Sequence, residues 1–333
     1  MTIINGIEID INKISIDEIK QAIINNEPLL DKLHVIAVIS NPCQFARRYI
    51  LAREFIARME FEENIILYIV ELAYGNQQYY VTDPKNKRHL QLRGTVPLWH
   101  KENMVNIGVK KLLPKTWKAV AWIDADIEFE NTCWALDALK VLNGSRDVVQ
   151  LFSHAVDMDK RHNAMSIFPS FGFQYSKKSL YGGTGVNMWH PGFAWACTRK
   201  AYDKMGGLYD LSILGSGDHN MSFSFIGNGK KSININTTDE YKQSINDFES
   251  KANQLRLGYV PGVIRHYFHG SKKNRKYQER WCILVDNQYN PEIHITKNND
   301  GLLVPTKDCP QAMLDSILQY FEERNEDEGY KEA

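Results

Sequence analysis

Through the first half of the chain, short apolar runs alternate with stretches whose apolar residues recur at steps of three and four. Residues 34–40, His-Val-Ile-Ala-Val-Ile-Ser, form a β-branched run that reads as a buried strand. Asn41-Pro42 breaks it. Phe45, Tyr49, Ala52, Ile56 and Met59 then mark an amphipathic helix. A second buried strand spans 65–72, and 77–94, without a clear period, reads as a loop. Residues 99–113 look helical and stop at Pro114. A third strand, 119–123, runs straight into Asp124-Ala-Asp126. A helix over 131–142 and a fourth strand over 147–153 follow. Such alternation predicts an α/β fold with a parallel sheet covered on both faces. Ligands of such sheets sit at the carboxyl ends of strands, where Ser40, Glu71 and the Asp124/Asp126 pair fall.

The second half is less regular. Residues 154–197 are rich in Gly, aromatics and His. Helices are expected over 198–205, ended by Gly206-Gly207, from about Asp218, and over 237–257, where Thr237 and Glu240 have capping-box spacing. A strand over 259–268 leads into a basic loop, and a last helix spans 310–321. The tail from Glu322 is expected to fray. At the N-terminus, 16–24 has helix spacing. The expected organisation is an extension over 1–30, a catalytic domain over 31–280 with halves 31–153 and 154–280, and a helical extension with an acidic tail over 281–333.

Composition narrows the partners. The 333 residues carry 40 basic and 40 acidic side chains, so no global field attracts nucleic acid. No apolar run approaches the ~20 residues of a membrane span, and the first residues lack signal-peptide character. The expectation is a cytoplasmic protein. Five scattered cysteines without a Cys-x-x-Cys pair read as free thiols.

The segment Trp122-Ile-Asp-Ala-Asp-Ile-Glu128 carries the clearest chemistry. An apolar strand delivers two carboxylates two residues apart, which share a side if the chain stays extended. Close carboxylates repel unless a cation sits between them. A hard divalent ion answers that need, and so does a turn in which Asp caps the next helix.

This segment resembles the Asp-x-Asp motif of GT-A glycosyltransferases. Other segments follow in matching order. Residues 97–108, Pro-Leu-Trp-His-Lys-Glu-Asn-Met-Val-Asn-Ile-Gly, resemble a helix of galactosyltransferase-like members. Residues 192–207 resemble their acceptor-side strand and helix. Gly215-Ser-Gly-Asp-His219 stands in the place of their Gly-x-Glu-Asp motif but lacks the Glu. His266 or His269 stands where a late strand supplies a final metal ligand. The Ile-, Asn- and Lys-rich wording is similar to that of proteins from giant DNA viruses, for which host cytoplasm or virion would be the location.

The resemblance implies a GT-A fold and transfer of a hexose or N-acetylhexosamine from a UDP-sugar to a hydroxyl of a glycan, protein or other acceptor, with inversion. It implies Mn²⁺ or Mg²⁺ held by Asp124, Asp126 and His269; residues three apart on a strand face opposite sides, so His266 and His269 are not expected to share one ion, and His269 is preferred because it ends the strand and precedes a glycine. Asp218 is the implied general base, and also a natural helix cap. Ser40, Asn41 and Glu71 would line the nucleoside pocket, with Arg93, Lys101, Asn106 and Asp124 as further donor contacts. Trp189 and His190 would meet the sugar. Lys272, Lys273 and Arg275 belong to a basic loop able to close over pyrophosphate. Three other classes compete: a nucleotidyltransferase, a metal-dependent hydrolase on the same acids and histidine, and a sugar-binding scaffold. A nucleotidyltransferase normally has a Gly-rich loop after the first strand, where this chain has Asn41-Pro-Cys-Gln-Phe45.

Overall fold

A computed structural model describes residues 2–4, 7–9, 32–183 and 187–329. The expected helix at 16–24 lies outside them. β1 (Thr2–Ile4) and β2 (Ile7–Ile9) pair as an antiparallel hairpin. The main body then begins with β3 (Leu33–Ser40), α1 (Ala46–Met59), β4 (Ile65–Tyr74), β5 (His89–Gly94), α2 (Lys101–Leu112) and β6 (Ala119–Ile123). After β7 (Ile127–Phe129) and α3 (Trp134–Leu142) come β8 (Val148–Gln150), β9 (His154–Met158) and β10 (Ala164–Pro169). Then follow α4 (Phe171–Lys177), β11 (Ala194–Thr198), α5 (Arg199–Met205), α6 (Gly217–Phe225) and α7 (Asp239–Ala252). β12 (Leu257–Tyr259), β13 (Val263–His266), α8 (Trp281–Asp286), α9 (Pro291–His294), β14 (Ile295–Lys297), β15 (Leu303–Pro305) and α10 (Gln311–Glu323) complete the order.

The main sheet has seven strands in the order β12-β8-β11-β6-β3-β4-β5. Every adjacent pair is parallel except those made by β11, which runs antiparallel to both β6 and β8. The chain is thus α/β with a mostly parallel central sheet, as the alternation predicts. β3 and β6 are apolar because both their faces are covered. All five residues of β6 are buried. One face packs against α1 and α3 through Phe55, Trp134 and Leu139. The other packs against α2 and the second half through Met104, Trp195 and Phe223.

A second sheet, β10-β9-β13-β7, stands at the carboxyl end of β6. Its strands β9 and β10 fall in the stretch that reads as irregular in sequence. β5 falls in the stretch read as a loop: it is a half-buried edge strand with little apolar content. The late strand expected over 259–268 is two pieces, β12 in the main sheet and β13 in the second. The cap of α7 is Thr238, one residue past the expected Thr237; its Oγ1 accepts from the Tyr241 N–H.

Candidate metal and donor site

The two aspartates part company at the end of β6. The chain turns between β6 and β7, so Asp124 and Asp126 do not share a side as an extended strand would require. The Asp124 N–H donates to the Phe193 carbonyl at 2.8 Å. Its carboxylate turns to Lys101, whose Nζ lies 2.6 Å from Asp124 Oδ1 and 2.8 Å from Asp218 Oδ2. One ammonium from the first turn of α2 thus bridges two carboxylates, the second from the first turn of α6. Burial opposes the Lys101 charge, but the two acids outweigh it and raise its pKa well above the ordinary lysine value. Burial also pushes the Asp124 carboxyl up to about 6, against the pull of Lys101.

Asp126 faces the other way. The Asp126 carbonyl accepts from the Tyr267 N–H at 2.9 Å, which ties the turn to the end of β13. Register then fixes the neighbours: His266 lies opposite Ile127 on β7 and opposite Asp157 on β9. His269 Nε2 is 3.0 Å from Asp126 Oδ2, and His266 Nε2 is 3.9 Å from the same oxygen. His266 and His269 meet because β13 ends at His266 and the chain then leaves the extended conformation. The expectation that they face opposite sides applies only to an unbroken strand.

Ligand atoms of Asp126, His266 and His269 all lie within 4.8 Å of one another. Both rings have a carboxylate behind them. His266 Nδ1 is 2.8 Å from Asp157 Oδ1, and His269 Nδ1 is 3.5 Å from Glu326 Oε2. A carboxylate behind a ligating imidazole fixes the ring and leaves the other nitrogen for a metal. Asp126 Oδ1 is buried without a hydrogen-bond partner among the described residues. Burial works against the Asp126 charge, yet the imidazoles outweigh it and hold the carboxyl well below its usual range. These observations fit a divalent cation. Two imidazoles with one carboxylate make a softer set than the all-oxygen shell of Mg²⁺. Arg275 Nη2 also reaches His269 Nε2, at 2.7 Å, so it competes with Asp126 for one ring nitrogen.

A cleft runs from these groups over the end of β3 and is lined by Ser40, Asn41, Arg48, Lys101, Asp126 and Arg275, among others. Ser40 Oγ is 2.9 Å from Tyr74 Oη. Asn41 closes the turn by accepting from the Phe45 N–H and donating to the Phe45 carbonyl. Phe321, Arg324 and Glu326 form a further wall. The tail is therefore not frayed up to residue 329. Glu326 is 1% exposed, and Asp327 accepts from the N–H groups of Ala46 and Arg47 at the start of α1.

Several residues read as donor contacts lie elsewhere. Glu71 is buried and accepts from the N–H groups of Tyr80, Val81 and Thr82, so its charge holds a loop. Arg93 donates to the carbonyls of Gly75 and Gln77 and stacks on Tyr79. Asn106 accepts from the Leu208 N–H and donates to the Leu208 carbonyl, fixing the Gly-Gly-Leu turn. Gly207 has φ +100°, and a Cβ there would stand 2.9 Å from Asn106 Oδ1. Trp189 is core, its Nε1 donating to the Leu180 carbonyl. His190 stacks on Phe193, and burial drops its pKa to about 3. It flanks Gly192 together with Asp218. Lys272 pairs with Asp157, and no side-chain bond of Lys273 reaches the cleft among the described contacts. The basic loop is a short 3₁₀ turn, Lys272–Arg275, pinned to the tail rather than free.

Sequence reasoning missed Glu102, Asp157, Arg324 and Glu326. No spacing announces them: Asp157 sits on an unrecognised strand, and Glu326 lies in a charged tail. Glu102 follows Lys101 on α2, is 2% exposed, and burial beside Asp218 pushes its carboxyl up to about 8. A Cβ on Gly217 would stand 2.3 Å from a Glu102 carboxylate oxygen. Glycine at 217 therefore makes room for that buried acid.

No protein-family model matches the chain, and no curated protein does. Solved structures similar in fold include Drosophila β1,4-galactosyltransferase 7 in complex with manganese, UDP-Gal and xylobiose, at 11% identity and TM-score 0.39, covering 86% of this chain and 98% of that one. Another is 4-diphosphocytidyl-2C-methyl-D-erythritol synthase from Anaerococcus prevotii, at 10% identity and TM-score 0.34, covering 70% and 88%. A third, described as a nucleotide-diphospho-sugar transferase, comes from Desulfovibrio desulfuricans, at 10% identity and TM-score 0.32, covering 71% and 82%. Likeness at this level says nothing of chemistry, which rests on the side chains of the cleft.

Proposed function

We propose that the chain is a metal-dependent glycosyltransferase that moves a hexose or N-acetylhexosamine from a UDP-sugar to a hydroxyl acceptor with inversion. The observation that carries this reading is Asp126. Its Oδ2 faces two imidazoles that carboxylates hold from behind, and its buried Oδ1 has no partner among the described residues, at the edge of a cleft that Lys101 links to a second acid, Asp218.

Asp126, His266 and His269 would hold Mn²⁺ or Mg²⁺. When bound, such an ion would offset the charge of a departing nucleoside diphosphate. The chain's own residues do the rest. Ser40 and Asn41, at the end of β3, border the space for the nucleoside. Arg48 and Arg275 bring positive charge to the phosphates. Asp218 takes the proton of the acceptor hydroxyl as that oxygen bonds to the anomeric carbon and the sugar–phosphate bond breaks. Lys101 holds Asp218 in place. Asp124 anchors Lys101 and is not in the cation cluster. The acceptor would be a glycan, protein or other hydroxyl compound.

A panel of nucleotide-sugars with Mn²⁺ tests the reading, scored by release of nucleoside diphosphate. Turnover with one UDP-sugar that a chelator abolishes is expected. Cleavage of the sugar-free nucleotide, or no turnover with any donor, would sink it. Product anomer analysis by NMR tests inversion.

A further inference from the structure

We propose that the segment 324–328 is a built part of the donor site, with Glu326 a positioning residue that orients His269 for the cation and Arg48 for the diphosphate. The inference rests on the metal reading above and deepens it.

Glu326 is a carboxylate in a charged tail, yet it is almost wholly buried. Burying a carboxylate is costly unless partners surround it. Here three partners converge. Arg48 Nε donates to Oε2 at 2.8 Å, Arg324 Nε donates to Oε1 at 2.8 Å, and His269 Nδ1 stands 3.5 Å from Oε2. Together they hold the carboxyl well below its usual range, against the effect of burial. Arg48 and His269 both face the cleft, so Glu326 touches its anion-binding and cation-binding sides at once.

The segment also grips the two elements that carry those residues. Asp327 caps α1, which bears Arg48. Asn274 Nδ2 donates to Glu328 Oε2 at 2.8 Å, holding the turn that follows His269. Gly270, between His269 and that turn, has φ +86°. A Cβ there would stand 3.0 Å from the Arg324 carbonyl oxygen and 3.1 Å from that of Asn325. The backbone approach that seats Glu326 behind His269 therefore needs a glycine.

The geometry matches the other half of the cluster. Asp157 stands behind His266 as Glu326 stands behind His269. One partner comes from the sheet and one from the tail. Loss of such a partner typically weakens metal binding about 10–100-fold.

The test is Mn²⁺ binding to the full chain, read by electron paramagnetic resonance without nucleotide, with thermal melting of each metal-free variant alongside. Glu326→Gln should bind Mn²⁺ about 10–100-fold more weakly than wild type. Glu326→Asp, which keeps the charge, should recover most of that loss. If Glu326→Gln does not fold, Glu326→Asp is read against wild type, and its shortened side chain should still weaken binding several-fold. Unchanged Mn²⁺ affinity in a folded variant overturns the inference. So does tighter binding of UDP to Glu326→Gln, which would make the segment a competitor of the donor. A wild-type chain that binds no Mn²⁺ removes the metal reading itself, and the inference with it.

Discussion

On one side of the cleft Asp126 faces two imidazoles; on the other, Asp124 and Asp218 share one ammonium. The first group leaves a carboxylate oxygen and a histidine nitrogen without a settled bond. The second has Lys101 between its acids, with Asp218 Oδ1 likewise buried and unpartnered among the described residues. Two carboxylates separated by one alanine have thus been given different work. The difference comes from the turn between β6 and β7, which sends one acid toward β13 and the other toward α2. Two imidazoles with a carboxylate suit an exchangeable ion, and an acid gripped by an ammonium suits a base that must be held in place.

The contrast can be broken from its strongest side first. Asp126→Ala should remove Mn²⁺ binding and cut UDP-sugar turnover about a thousandfold, since a metal contributes several kcal/mol; calorimetric Mn²⁺ titration and steady-state rates check both. Asp218→Asn should leave donor and Mn²⁺ binding in place while transfer falls at least about a hundredfold. Equal losses of binding and transfer there would merge the two sides into one. Lys101→Met leaves two acids without their shared partner and should cost about 3 kcal/mol in urea unfolding.

Glu102 sharpens the picture through pH. Its carboxyl is raised to about 8 in the folded chain, above its unfolded value, so the folded state binds the extra proton between the two. Its stabilising effect is full below about 4.5 and disappears as pH rises through about 8. Glu102→Gln should flatten that decline in urea melts taken between pH 5 and 8. The smallest effect is expected at Arg93→Ala, an exposed position on the edge strand β5: stability within about 0.5 kcal/mol of wild type, and an unchanged donor KM.

What the sequence made legible follows from burial on both faces. β3, β4 and β6 are covered above and below, so they are almost wholly apolar, and the ends of β3 and β6 are visible at Ser40 and Asp124. α1, α2 and α7 show their buried stripes for the same reason. β5 and β10 lie at sheet edges, and the first four residues of β10 are exposed, so no apolar signature marks them. Within the site, Asp126, His269, Asp218 and Lys101 stood out as charges next to apolar runs or in matching motif order. Glu71, Arg93 and Asn106 stood out equally, but each is used to hold a loop or turn. A polar residue at a strand end looks the same in sequence whether its partners are backbone amides or a ligand. His266 and His269 face opposite sides only if strand alternation continues past His266, where β13 ends. Asp157 and Glu326 reach the two histidines across more than fifty residues of sequence, which no local pattern encodes.

The cap that Asp327 places on α1 has a kinetic side. The Ala46 N–H and Asp327 are separated by 281 positions. Closing a loop of that size costs about 5 kcal/mol in chain entropy, and contacts so distant form late. The parallel sheet can assemble from neighbours in sequence while the first turn of α1 still has open N–H groups. Refolding followed by tryptophan fluorescence and by Mn²⁺ uptake should then give two time courses, with the core formed before the chain can hold an ion.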